Sequence, residues 1–192
     1  YIASSGRPGP VLVDIPKDVF QEEAEFEWPD DVDILGYKPT LDGHPMQVSG
    51  AADLINESKR PVILAGHGVL ISGAWDRLQE LAERAQIPVI TTLLGISSIP
   101  DNHVLCLGMP GMHGMAYASL AIEQADLLIA LGMRFDDRIT GRPSAFALGS
   151  KKIHIDIDSS EIDKNIKVDL PIVGDVNRVL GQLNKLVEPA ER

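Results

Sequence analysis

From Gln47 onward, apolar positions switch repeatedly between the spacing of a helix and that of a buried strand. Val48, Ala51, Ala52 and Ile55 recur as one helix face, and Pro61 to Ala65 follows as an unbroken apolar run, the length and character of a strand covered on both sides. Gly66-His67-Gly68 closes that run. Trp75, Leu78, Leu81, Ala82 and Ala85 mark the next helix, and Pro88 to Thr92 the next strand, with Leu93-Leu94-Gly95 after it. Gly111-Met112-His113-Gly114 opens a small-residue helix reaching about Glu123. Leu127 to Leu131 is a third strand, ended by Gly132, Lys152 to Ile157 is a fourth, and Ile172-Val173 is a short last one. Asp175 then stands where a helix N-cap belongs, ahead of the face Val176, Val179, Leu180, Leu183 and Val187. Strands alternating with helices predict an α/β fold, a doubly wound, mainly parallel, Rossmann-like sheet with helices on both faces.

The earlier residues do not follow this pattern. Gly6-Arg7-Pro8-Gly9-Pro10 is a turn cluster, and Val11 to Ile15 predicts a short strand stopped by Pro16. One strand cannot make a core, so residues 1–17 read as the end of a preceding domain. Residues 18–46 carry acids (Glu22, Glu23, Glu25, Asp30, Asp31, Asp33), prolines (Pro29, Pro39, Pro45) and scattered Phe20, Phe26 and Trp28 without a period. They predict a linker over a surface, leaving residues 47–192 as the main domain. Tyr1 stands first in place of Met and no basic-then-apolar leader follows it, so the chain is expected to be a piece of a longer protein.

Charge narrows the partners. A net charge of −11 over 192 residues argues against a nucleic-acid backbone or an anionic membrane surface, which need Lys and Arg stripes. The apolar runs fall far short of the roughly 20 residues that span a bilayer. Cys106 is the only cysteine, which excludes an internal disulfide or a Cys-based metal cluster.

The polar chemistry gathers where strands are predicted to end. Arg134, Asp136, Asp137 and Arg138 follow Gly132 closely. In an open parallel sheet, ligands bind beyond the carboxyl ends of strands, and forked guanidinium donors with carboxylate acceptors suit a large polar cofactor there. The same four charges could instead pair with one another in a solvated turn. Gly66-His67-Gly68 admits either a phosphate against backbone N–H groups or a plain tight turn, and its spacing is not the dinucleotide fingerprint. Met112 and His113 offer a pliable apolar wall and a hydrogen-bonding ring, though a lone histidine is more often structural. Asp156, at a strand end, suits a ribose hydroxyl or a local cap equally. No Ser-His-Asp set, His-x-x-x-His pair or cysteine cluster supplies a nucleophile or a metal cage. Read on its residues, the chain is a nucleotide-binding α/β domain without a catalytic group of its own.

Three of these strings resemble one family. Arg134-Phe135-Asp136-Asp137-Arg138-Ile139-Thr140-Gly141, His154-Ile155-Asp156-Ile157-Asp158 and Gly111-Met112-His113-Gly114 are similar to the central domain of the acetohydroxyacid (acetolactate) synthases, thiamine diphosphate enzymes. Ser5 to Asp18 resembles the end of that family's N-terminal pyrimidine-binding domain. The resemblance implies a three-domain enzyme that decarboxylates pyruvate and joins it to a second 2-ketoacid in branched-chain amino-acid synthesis. It implies thiamine diphosphate and Mg²⁺ held by domains outside this chain, and FAD held by this one. By resemblance the cofactor-binding positions are Arg7; Gly66, His67 and Gly68; Thr92 and Leu93; Gly111, Met112 and His113; Gly132, Arg134, Asp136 and Arg138; Asp156 and Ile157; and Asp175 and Val176. Lys17, Met112, His113, Asp137 and Arg138 match residues near the mouth of the family's active site.

Two departures from the family pattern stand out. His67 interrupts a turn where many relatives have three glycines, and Pro110 replaces the usual Leu before Gly111. The activating glutamate and the metal-binding Gly-Asp-Gly motif belong to the other domains, so the chain is expected to be inactive alone. The implied partners are those two domains, further copies in a homo-dimer or tetramer, and a regulatory subunit. The implied location is the bacterial cytoplasm, or a plastid or mitochondrion in a eukaryote. Two other readings stay open: the central domain of another thiamine diphosphate-dependent carboligase or oxidase, and a free-standing nucleotide-binding module.

Overall fold

The computed structural model describes residues 1–191. It contains two compact units, Tyr1–Pro39 and Thr40–Arg192. The first unit is organised around Tyr37, whose hydroxyl donates to the Ser5 carbonyl at 3.0 Å and whose ring meets Tyr1 edge-on at 5.9 Å. Its single helical turn is α1, Lys17–Phe20. The strand expected over Val11 to Ile15 does not form; these residues are irregular and largely exposed. A strand needs a neighbour to take its N–H and C=O groups, and this unit contains no other strand among its described residues.

The second unit is the expected α/β sheet. After α2 (Pro45–Glu57) the chain forms β1 (Pro61–Ala65), α3 (His67–Ile71), α4 (Trp75–Ala85) and β2 (Val89–Thr91). It continues with α5 (Ala116–Gln124), β3 (Leu127–Leu131), α6 (Asp137–Thr140), β4 (Lys151–Asp156), β5 (Leu170–Val173) and α7 (Val176–Leu183). The strands lie in the order β2-β1-β3-β4-β5, and every pairing is parallel.

Alternation along the strands divides the core between the two faces. Ile63, Ala65, Leu127, Ile129, Leu131, Ile153 and Ile155 join a cluster with the inner faces of α2, α4 and α7. Val62, Leu64, Leu128 and Ala130 point the other way, onto α5, Phe135, Phe146 and Ile166. Burial on both faces explains why the central strands read as unbroken apolar runs. Lys152 is buried on the second face, where its ammonium donates to the carbonyls of Ala147 and Ser150 at 2.9 and 2.8 Å.

Three details differ from the sequence reading. Gly66-His67-Gly68 is not a free turn, because His67 and Gly68 already belong to α3. Gly111 to Gly114 forms a turn, and α5 starts only at Ala116. Residues Leu105 to Gly108, unassigned from the sequence, run alongside β2: the amides of Val89 and Thr91 donate to Leu105 and Gly108, and that of Leu107 to Val89. This segment covers a sheet edge that would otherwise expose its donors and acceptors.

Asp175 caps α7 as its position predicts, its carboxylate accepting from the Arg178 amide at 3.0 Å. Asp175→Ala is expected to cost about 1 kcal/mol of stability, measured by urea denaturation, with Asp175→Asn retaining most of it.

Candidate cofactor site

β1 sits between β2 on one side and β3 on the other. The chain leaves β1 toward one side of the sheet and later returns to the opposite side, so the loops after β1 and β3 part at a topological switch point, where open α/β sheets hold ligands. Most candidate residues outside the first unit lie at or just after strand ends, and Gly111, Met112 and His113 lie in the turn ahead of α5. Gly66, His67 and Gly68 follow β1; Thr92 and Leu93 follow β2; Gly132, Arg134, Asp136 and Arg138 follow β3; Asp156 and Ile157 follow from β4; Asp175 and Val176 follow β5. Arg7 lies in the first unit and is exposed there.

Backbone contacts tie the loops together. Gly68 donates to the Gly132 carbonyl at 2.9 Å and Gly66 to Leu131 at 2.9 Å. A Cβ on Gly68 would lie 2.6 Å from the Gly132 Cα. Thr92 donates to Ala65 at 2.9 Å and Gly132 to Ile155 at 2.8 Å. Gly111, at φ +93°, passes so near α6 that a Cβ there would be 2.7 Å from the Arg138 carbonyl. Its amide donates to the Ser119 hydroxyl at 3.2 Å. The glycines therefore serve the close approach of loop to loop. The Gly66 and Gly68 amides already give their single protons to carbonyls, so a phosphate here would draw its donors from other groups.

The acids have local duties too. Asp136 caps α6, accepting from the Arg138 amide at 3.2 Å, and its other oxygen lies 3.2 Å from Arg134 Nε. Arg138 Nε lies 3.9 Å from Asp137. Asp156 accepts from the Asp158 amide at 2.9 Å. Val176 contributes its side chain to the core, while Leu93, Met112, His113, Arg134 and Arg138 are exposed. These loops thus offer guanidinium donors, carboxylates and the exposed apolar side chains of Leu93 and Met112. Among the described residues no group of three His, Cys, Asp or Glu side chains could hold a metal ion. None of their helices is long and apolar enough to cross a membrane.

The comparisons with known proteins bear on the family and the fold. The family model for the thiamine pyrophosphate enzyme central domain matches residues 48–183. The chain belongs to that family. It is similar to an acetolactate synthase of Mycobacterium leprae, 52% identical over 183 residues, covering 95% of this chain and 29% of the relative. A probable acetolactate synthase large subunit of Methanocaldococcus jannaschii is 55% identical over 185 residues, covering 95% of this chain and 31% of the relative. The chain therefore spans less than a third of the length of these relatives. A benzoylformate decarboxylase structure from Polynucleobacter necessarius superimposes with a TM-score of 0.77 at 23% identity, covering 100% of this chain and 35% of that one; at that identity it supports the fold alone.

One residue of this thiamine pyrophosphate enzyme central domain carried no site role in the sequence reading. His154 lies in β4 and is fully buried. Its Nε2 is 2.7 Å from the Met133 carbonyl and its ring meets Phe135 edge-on at 5.1 Å. The signal in the sequence was an imidazole inside an apolar strand, legible only once the facing loop is known. Burial holds its pKa below the usual histidine range, opposed by the Met133 hydrogen bond and by Asp156, Glu161 and Asp163.

This lowered pKa makes stability depend on pH. Below about pH 6.5 the unfolded chain takes up a proton here that the folded chain accepts only at lower pH. The unfolded state then binds more protons, so stability falls as pH drops from about 6.5 and levels once folded His154 is protonated. Urea melts from pH 7.5 to 5.5 should show that slope, and His154→Phe should flatten it.

Proposed function

We propose that this chain is the FAD-binding central domain of an acetolactate synthase large subunit, the enzyme that condenses pyruvate with a second 2-ketoacid. The observation that carries the reading is the joining of Gly66–Gly68, Gly132–Arg138 and Gly111 at the switch point, in a chain 52% identical to an acetolactate synthase. The residues fit a dinucleotide. Arg134 and Arg138 present guanidinium donors to phosphate oxygens. Asp156 and Asp175, at neighbouring strand ends, suit hydroxyl groups, and Leu93 and Met112 suit an apolar ring system.

The division of the chain follows the same reading: residues 1–17 close the preceding domain, 18–46 link, and 47–192 form the FAD domain. The match over residues 48–183 supports it. Domains outside this chain would hold thiamine diphosphate and Mg²⁺, which would supply the carbanion chemistry, whereas the flavin would not be formally required by the reaction. This chain's own residues orient the cofactor and shape the cleft. Those domains, further copies of the full chain and a regulatory subunit are its partners. A prokaryotic cytoplasm is the proposed location.

The test is acetolactate formation from pyruvate by the full-length protein, supplied with thiamine diphosphate, Mg²⁺ and FAD. Acetolactate formed by a protein that also binds FAD supports the reading. Turnover of pyruvate to acetyl phosphate or acetaldehyde without acetolactate would instead favour another thiamine-dependent enzyme.

A further inference from the structure

The segment bearing Arg134 is held on both sides by side chains from later in the chain. The Met133 carbonyl accepts from His154 Nε2 at 2.7 Å. The Phe135 carbonyl accepts from Asn165 Nδ2 at 2.7 Å. A carbonyl can only accept, so Nε2 carries the hydrogen and Nδ1 of the neutral ring is a bare acceptor. That Nδ1 is buried and has no hydrogen-bond partner among the described residues. An apolar side chain at this strand position would avoid the cost of burying it. The hydrogen bond to Met133 and the edge contact with Phe135 are what the imidazole supplies in exchange.

Resting on the cofactor reading above, we propose that His154 is a positioning residue for the flavin loop, its Nε2–H and ring holding Gly132 to Asp136 on the path that aims Arg134 at the cofactor, and that its protonation releases this loop.

The surroundings give the direction of the switch. The β3 and β5 residues paired with His154 are Ala130 and Pro171, which carry no charge. Asp156 Oδ2 lies 3.9 Å from Nε2. Glu161 and Asp163 act across the same region, with Lys164 3.0 Å from Glu161 and Lys167 3.7 Å from Asp163. Lys152 precedes His154 by two residues on β4 and donates to the Ala147 and Ser150 carbonyls. A second proton on His154 would sit on Nδ1, which faces no acceptor. The protonated ring therefore favours a state in which the loop has opened to water, and linkage shifts the population that way as pH falls.

The experiment compares wild type, H154Q and H154F in the full-length protein. Hydrogen exchange is followed by mass spectrometry over residues 132–138, and FAD is titrated by flavin fluorescence from pH 7.5 to 5.5. In wild type, exchange over this stretch, corrected for its intrinsic pH dependence, should quicken on the order of tenfold at the acid end, with FAD affinity falling alongside. H154F should exchange fast at both pH values and bind FAD about fivefold to tenfold more weakly, the worth of one hydrogen bond. H154Q, whose amide Nε2–H can reach the same carbonyl, should restore most of the affinity and lose the pH dependence. Unchanged exchange in H154F, glutamine no better than phenylalanine, or a pH dependence that survives in H154Q would each overturn the proposal. Should H154F fail to fold, the wild-type pH series and H154Q decide it. A wild type that binds no FAD while its exchange follows this pattern overturns the cofactor reading and leaves the loop function of His154 supported.

Discussion

Gly132→Ala is expected to destabilise the α/β unit by about 3 kcal/mol, the sum of two separate penalties. Gly132 ends β3 at φ +54°, in the left-handed region that costs an L-residue about 1–2 kcal/mol. The added Cβ would also lie 2.5 Å from the Gly68 Cα, which is backbone and cannot swing aside. Relieving that overlap pushes β1's exit loop from β3's, and overpacking of this kind costs about 1–3 kcal/mol. Gly149 provides the control, since it has no positive φ and a Cβ added there would meet nothing within 4 Å. Gly149→Ala should stay within about 0.5 kcal/mol of wild type. Urea denaturation of both variants measures the difference. Equal midpoints for the two would show that the loops do not depend on glycine for their approach.

On the proposed FAD-binding reading, Arg134→Ala is expected to weaken FAD binding in the full-length protein by about tenfold or more, since a hydrogen bond to a charged group contributes roughly 1.5–3 kcal/mol. Arg134 is well placed for this. Its side chain is 59% exposed and only its Nε lies against Asp136, at 3.2 Å, so the guanidinium keeps further N–H donors for phosphate oxygens. The carboxylate also sets the direction from which the guanidinium approaches. Arg134→Lys should recover only part of the affinity, because an ammonium lacks the planar fork. Flavin fluorescence titration gives the ratio directly, and unchanged affinity in Arg134→Ala would remove this residue from the site.

The main elements of the α/β unit were legible because their signals are local. Pro61 to Ala65 and Leu127 to Leu131 are apolar runs of strand length, and both are strands with every residue buried. The α4 and α7 faces follow their apolar spacing, with Leu78, Leu81, Leu180 and Leu183 in the core. Asp175 caps α7 because an acid before an apolar helical face has few other local uses. Val11 to Ile15 misled for a corresponding reason. Its residues have strand character, but strand formation is decided by a neighbour, which local pattern does not contain.

The sequence by itself determined the alternation of strands and helices, hence the fold class, and it put charged and glycine-rich strings after the strands. Both follow from periodicity and turn chemistry within a few residues. Only the tertiary structure decided the strand order β2-β1-β3-β4-β5, and with it which loops meet. It assigned Gly66, Gly68 and Gly132 to one another, turning an ambiguous phosphate signal into a loop-packing contact with two amides already engaged. It also brought His154 beneath the Met133 carbonyl, 21 residues earlier in the chain. Such pairings depend on which strands lie side by side, a long-range outcome of packing the whole sheet that no local window carries.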